Sequence, residues 1–344
     1  MARSASTSIA MEARAVEALP RGAGWQYEPK WDGFRCLAGK AGGRVALTGR
    51  SGKSLARYFP DVVERLAALE ARRFLLDGEL IIPVDGVLSF EALQLRLHPS
   101  ARRVAMLAER SPALLMAFDM LADHDGRDMV EEPLAERRRH LETFFADLTA
   151  RQDVLRLSPL TRDRRVASRW LARAGSGALD GVVAKRIDAP YRAGERAMLK
   201  IKCLRTADCV VGGFRYGTGS REVATLLLGL YNEEGRLDHV GHTSGLGGLD
   251  RASLTRRLES LRGASGFTGD APGGPSRWAT ERSTQWEPVR PKLVVEVQYD
   301  HVSGGRFRHG TAFVRWRPDK TPRQCIVDQL QVEAAPCLLK RLLG

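Results

Sequence analysis

Apolar and polar positions along the chain follow two different textures. Residues 34–50 (FRCLAGKAGGRVALTGR) read as two short strands about a glycine-rich turn, with apolar residues on both sides of the Ala-Gly-Gly centre. Val62, Val63, Leu66 and Leu69 recur at helical spacing after Pro60-Asp61, which predicts a helix over 61–71. The same reading predicts helices from Ser89 through SFEALQLRL, over 134–148 and over 165–174. FLLDGELII, ALLMAFDML (113–121), DGVVAKR (180–186) and MLKIKC (198–203) read as strands. The first of these carries Asp77-Gly78-Glu79 in its middle, and carboxylates inside an apolar strand need partners.

After Leu204 the texture changes. CVVGGFRYG, ATLLLGLYN and RLDHVGHTS are short strands at regular spacing, separated by glycine-containing turns. One helical stretch, DRASLTRRLESLRG, follows, then a Gly/Pro/Ser-rich loop over 264–276, then LVVEVQYDHV and the basic strand TAFVRWRPDK. Five strands with one helix fit an OB-type barrel. The pattern predicts an α+β chain of two domains, 1–204 and 205–344.

Composition narrows the class. The chain has 344 residues, 43% hydrophobic and 28% charged, which is ordinary for a globular protein of this length. No run of eighteen apolar residues and no secretory leader are visible, so a cytoplasmic protein is expected. Cys36, Cys203, Cys209, Cys325 and Cys337 are scattered without a C-x-x-C pair, which argues for free thiols in a reducing compartment and against a zinc finger. The net charge of +13 favours a polyanionic partner, since basic proteins gain affinity by releasing counterions from phosphates. Against that, the runs Arg102-Arg103 and Arg137-Arg138-Arg139 fall in helical stretches and read as solvated faces. His124, His239 and His242 have no partner pattern and read as surface or turn residues.

Four features of the first domain stand in order, each at a strand or strand end: Lys30-x-Asp32-Gly33-x-Arg35, Asp77-Gly78-Glu79, Phe118-Asp119 and Asp180-Gly181-Val182-Val183, followed by Lys200-x-Lys202. A lone K-x-D-G is more often a turn with a Lys–Asp pair. The ordered set, together with Arg315-Trp316-Arg317-Pro318-Asp319-Lys320, resembles the nucleotidyltransferase motifs of ATP-dependent DNA ligases and of their relatives, the mRNA capping enzymes and RNA ligases. The resemblance covers roughly residues 25–330. It implies an adenylation (ATP-grasp-like nucleotidyltransferase) domain followed by an OB-fold domain.

The resemblance also implies residue roles. Lys30 is the amine that attacks the α-phosphorus of ATP, forming a P–N bond that stays reactive. That amine must be free of its proton, which partial burial and the neighbouring cations Lys200 and Lys202 favour. Glu28 reads the adenine amino group; Phe118 stacks on one face of the ring and Val182 or Val183 covers the other. Arg35 and Glu79 hold the ribose, Arg50 contacts phosphate, and Lys200 and Lys202 complete the phosphate clamp. Mg²⁺ or Mn²⁺ is expected near Asp180 with Glu79. Asp180 is a departure, because the family usually has glutamate there. Arg315, Arg317, Asp319 and Lys320 are implied to reach the β- and γ-phosphates when the OB domain closes.

Only 29 residues precede Lys30, so ATP and not NAD is the expected cofactor. The motifs resemble most the small two-domain bacterial repair ligases related to the ligase module of end-joining ligases. Nicked double-stranded DNA is then the expected partner, with a DNA-end-binding protein or a repair polymerase as companion. Arg162–Arg165 and Arg215–Arg221 are candidate phosphate contacts. An RNA ligase or capping-type guanylyltransferase would share Lys30 and differ in nucleotide or acceptor. A non-catalytic OB-type nucleic-acid binder would need none of the first-domain motifs.

Overall fold

Strand Trp25–Lys30 pairs antiparallel with Gly181–Arg186, which pairs antiparallel with Met198–Ile201; Ala13–Ala15 adds a parallel edge to complete a four-stranded sheet. A five-stranded sheet runs in the spatial order Arg44–Gly49, Phe34–Ala41, Arg73–Ile81, Leu114–Ala122 and Leu155–Leu157, antiparallel except at its last pair. The computed structural model describes residues 9–148, 154–175, 179–263, 266–273, 285–330 and 342. Both sheets belong to the first of two units, which runs to Cys203; the second begins at Leu204. The sequence expectation put the join after 204 and gave everything from 205 to 344 to the barrel.

Helix Pro60–Ala67 starts on a proline, whose missing N–H would have no partner there anyway, and buries Val62 and Leu66 against the five-stranded sheet. The predicted period ran on to Leu69 because Leu69 is itself buried, in the turn after the helix. Helix Phe90–Arg96 is capped by Ser89, whose hydroxyl accepts from the Ala92 N–H at 3.1 Å. The next helix, Ala101–Arg110, was marked in sequence only by Arg102-Arg103, which are exposed on it as expected; its bounds were not legible because only Val104 and Ala108 mark its buried face. Helix Leu134–Ala146 packs on the five-stranded sheet through Leu141 and Phe144. There the solvated-face reading fails for Arg137 and Arg138, which are buried. The Arg137 guanidinium forks onto the buried Asp119 carboxylate at 2.8 and 2.9 Å, so a charge pair closes this part of the core. Helix Arg164–Ala172 starts on Asp163 and packs Ala167 against Tyr27, Val182 and Ala184.

The second unit closes on itself. Arg205–Tyr216, Val223–Tyr231, Leu237–Gly245, Thr311–Trp316 and Val294–Tyr299 pair in that circular order, and the last returns to the first. All pairs are antiparallel except Leu237–Gly245 with Thr311–Trp316. Inward positions such as Val210, Phe214, Leu226, Leu228, Val295 and Val297 fill the barrel, and helix Arg251–Glu259 adds Leu254 and Leu258 between the third and fourth strands in sequence. This is the OB-type barrel that the strand spacing predicted. Of the predicted loop 264–276, residues 264, 265 and 274–276 lie outside the described residues. His239 and His242 sit on a barrel strand: His242 is exposed, as a surface residue should be, while His239 is half-buried, and burial with Arg306 beside it pushes its imidazole down to about 3.

Cys36, Cys203, Cys209 and Cys325 are free thiols, and Cys337 lies outside the described residues. No helix of the described residues is long and apolar enough to cross a membrane.

Candidate active site

Strand alternation builds one wall of the candidate site. On Trp25–Lys30 the residues Gln26, Glu28 and Lys30 share a face, because successive side chains of a strand point to opposite sides. Their cross-strand partners are Lys185, Val183 and Gly181, and Val183 in turn stands opposite Lys200. Glycine is required twice here by close approach. A Cβ on Gly33 would lie 2.1 Å from the Leu80 carbonyl oxygen, next to Glu79, and one on Gly181 would lie 2.1 Å from the Ile201 carbonyl oxygen, next to Lys202. The two Asp-Gly turns therefore let the strand ends that carry Lys30 and Asp180 press against their neighbours.

A cavity of about 990 Å³ opens on this face, lined by Glu28, Lys30, Arg35, Glu79, Phe118, Val183, Lys185 and Lys200, with Arg50 at its edge. That volume suits a nucleotide. Arg35 and Glu79 come from the five-stranded sheet, where they stand opposite one another. The Arg35 guanidinium forks onto Asp77 at 2.6 Å from both Nε and Nη2, and Asp77 also accepts from the Tyr191 hydroxyl at 2.7 Å. Asp77 thus anchors Arg35 from beneath, and the carboxylates that disturbed the apolar strand divide their tasks. Asp77 is the buried anchor; Glu79 faces the cavity.

Two carboxyls near Lys30 are driven in opposite directions. Burial pushes the Glu79 carboxyl up to about 7, against the pull of Arg35 and Lys30. Burial alone would raise Asp180 as well, but Lys30 at 2.6 Å and Lys202 at 3.2 Å outweigh it and hold that carboxyl below its usual range. Lys200 forms no ion pair among the described residues, and burial, then Lys30, Lys202 and Arg50, lower its pKa. A desolvated ammonium beside other cations is an electrostatic vacancy for phosphate oxygens.

The structure brings most of the expected residues together and displaces some. Of the two valines offered as a cover for the adenine ring, Val182 is buried at 0% against Tyr27 and Ala167, and alternation turns Val183 into the cavity. Asp180 and Lys202 stand behind Lys30 and do not line the cavity. Arg50 is 71% exposed and paired with Glu12 at 2.8 Å. Arg315, Arg317 and Lys320 lie on the second unit, each claimed by a carboxylate of that unit: Arg315 by Glu296 at 2.6 Å, Arg317 by Asp208 at 2.8 Å and by Asp319, and Lys320 by Asp208 at 2.7 Å. Lys185 was missed, although its alternation with Val183 was a usable signal. Asp77 and Tyr191 were missed as supports for Arg35; no spacing connects them in sequence. Among the described residues no group of three His, Cys, Asp or Glu side chains gathers as a metal site. Glu79 and Asp180 offer hard oxygen donors, which suit a magnesium-type ion completed by substrate phosphates.

Comparison with known proteins extends the likeness over most of the chain. Residues 7–202 match the family described as ATP dependent DNA ligase domain, and residues 219–320 match the one described as ATP dependent DNA ligase C terminal region. DNA ligase C2 of Mycolicibacterium smegmatis is 42% identical over 93% of this chain and 93% of its own. DNA ligase C of Mycobacterium tuberculosis is 41% identical over the same shares. A solved structure of a Lig E DNA ligase matches 90% of this chain and 100% of its own at a TM-score of 0.56 and 16% identity, a likeness of fold alone.

Proposed function

Since the chain belongs to the family of ATP-dependent DNA ligases, we propose that it transfers AMP from ATP to Lys30 and then to the 5′-phosphate of nicked double-stranded DNA, which it seals in DNA repair. The observation that carries the reading is the single face on which Glu28, Lys30, Val183 and Lys200 meet Arg35, Glu79 and Phe118 around one cavity.

Lys30 supplies the nucleophile. Once its proton has passed to solvent, Nζ attacks the α-phosphorus, the new P–N bond forms as the bond to the oxygen bridging the α- and β-phosphates breaks, and pyrophosphate leaves. Asp180 orients that amine more than it takes its proton, because a carboxyl held low by two ammoniums is a weak base. Lys200 is positioned to bind the phosphate whose charge grows as pyrophosphate departs. Phe118 and Val183 present apolar surface to a flat base, while Glu28 accepts from its amino group. Arg35, fixed by Asp77, and Glu79 face the sugar.

Mg²⁺ or Mn²⁺ would be held by Glu79, which lines the cavity, with Asp180 available only once Lys30 leaves it, and would supply charge neutralisation at the reacting phosphate. In the second step a 5′-phosphate oxygen of the nick displaces Lys30 from phosphorus. In the third the 3′-hydroxyl attacks that 5′-phosphorus and releases AMP. The exposed Arg162 and Arg165 and the net charge of +13 support a DNA-facing surface, and the free cysteines fit a reducing, cytoplasmic setting.

Label transfer from α-labelled ATP, GTP and NAD to the protein tests the reading. ATP is expected to label wild type and not Lys30→Ala, while the variant still seals a pre-adenylylated nick. Labelling of Lys30→Ala by ATP would remove the central assignment, and labelling of wild type by GTP would move the protein to capping chemistry.

A further inference from the structure

Behind Glu28 lies a second buried charge that the reaction as described leaves without a task. Lys185 shows only 4% of its side chain to solvent, yet it lines the cavity, 2.7 Å from Glu28 Oε2. Its ammonium also sits over the Phe118 ring, 4.4 Å from the centroid. On the other carboxylate oxygen, Gln26 Nε2 donates to Glu28 Oε1 at 2.8 Å. The strand register explains the cluster, because Gln26 stands directly opposite Lys185 and both alternate onto the cavity face.

A buried ammonium is expensive unless something specific holds it, and a plain structural role would be met by full hydrogen bonding. Here the ion pair is close but off hydrogen-bond alignment, so Lys185 Nζ has no hydrogen-bond partner while it neutralises Glu28 and touches the aromatic ring. We propose that Lys185, with Gln26, is a positioning residue for base selection: it holds Glu28 with both oxygens as acceptors toward the base and fixes Phe118 beside it. An acceptor pair welcomes the exocyclic amino group of adenine. The carbonyl oxygen that guanine carries at that position would face it acceptor against acceptor. The proposal rests on the reading above, in which Glu28 meets the base.

The test is label transfer with α-labelled ATP and GTP over a range of concentrations, on wild type, Lys185→Met, Lys185→Arg and the double variant Glu28→Gln/Lys185→Met. Lys185→Met is expected to raise the KM for ATP about tenfold with less than about threefold change in the maximal rate, and to cut the ATP-over-GTP preference about tenfold. Lys185→Arg should restore most of the preference, since it keeps the cation.

If Lys185→Met fails to fold because Glu28 is left buried and unpaired, the double variant removes both charges and serves instead. It should label weakly with both nucleotides and with little preference. An unchanged preference in the folded variants, or equal losses for both nucleotides, overturns the proposal. Failure of wild type to label with any nucleotide would instead sink the underlying reading, so the two failures are distinguishable.

Discussion

The two units hold their cations in opposite ways. In the first, Lys200 has no carboxylate partner among the described residues and looks into a cavity, with Lys30 beside it sharing Asp180 with Lys202. In the second, Arg315, Arg317 and Lys320 are all engaged by Glu296, Asp208 and Asp319. Asp208 alone takes two of them, at 2.8 and 2.7 Å. A cation without a partner is ready for phosphate as it stands; a paired one must exchange a carboxylate for a phosphate, and gains only the difference. The first unit is thus a preformed site, and the second a set of groups whose contribution depends on what displaces Asp208.

That difference sets the expected order of effects. Lys200→Ala should reduce Lys30 labelling by about 10²-fold or more, mostly in the maximal rate, because it removes charge stabilisation aimed at the reacting phosphate. Arg317→Ala should cost about tenfold in the same assay, since part of what it offers substrate is spent in leaving Asp208 and Asp319. Single-turnover labelling of the two variants side by side decides the matter. A larger loss for Arg317→Ala than for Lys200→Ala would invert the comparison and make the second unit the stronger phosphate binder.

Much of this was legible in the sequence, and the limits have physical reasons. The Asp-Gly turns of Lys30 and Asp180 stand out because only glycine tolerates the approach of the Leu80 and Ile201 carbonyls, so a steric need leaves a mark on the sequence. The barrel was visible in strand length and turn spacing, which are local. Val182 and Val183 stayed open as alternatives because two adjacent valines look alike until the face of Lys30 is known; counting alternation from Lys185 would have chosen Val183. Arg137 was read as solvated because nothing on its own helix reveals Asp119, which arrives from a neighbouring strand. The Asp77–Tyr191 support of Arg35 spans 114 residues, and pairings at that distance are fixed by topology.

The opposed carboxyls of the first unit offer a smaller and more specific test. Glu79 carries its proton up to about 7 in the folded protein, against 4.5 for an ordinary glutamate, with burial as the leading cause. A group raised in this way contributes stability that is fully present below about 4.5 and is lost as pH rises through about 7. Glu79→Gln, which stays neutral, should therefore gain on wild type between pH 5 and pH 8, by up to about 3 kcal/mol in denaturant unfolding. Nucleotide binding by wild type should bend near the same pH, and the bend should vanish in the variant. Equal pH dependence of the two proteins would place the Glu79 carboxyl in a wetter setting than its burial implies.

Arg50 is the mildest case and separates pairing from exposure. It stands at the cavity edge like Lys200 and is claimed by a carboxylate like Arg317, but it is 71% exposed, and its partner Glu12 is itself partly exposed. Exposed pairs of this kind are weak and screened by salt, so leaving Glu12 costs Arg50 little. Arg50→Ala should then lower labelling only severalfold at physiological ionic strength, and Glu12→Gln should leave it unchanged or slightly raised. Repeating both at low salt should widen the gap between them, because a screened interaction regains its strength as the Debye length grows. A loss for Arg50→Ala as large as that for Lys200→Ala would mean that position at the cavity, and not freedom from a carboxylate, decides which cations meet phosphate.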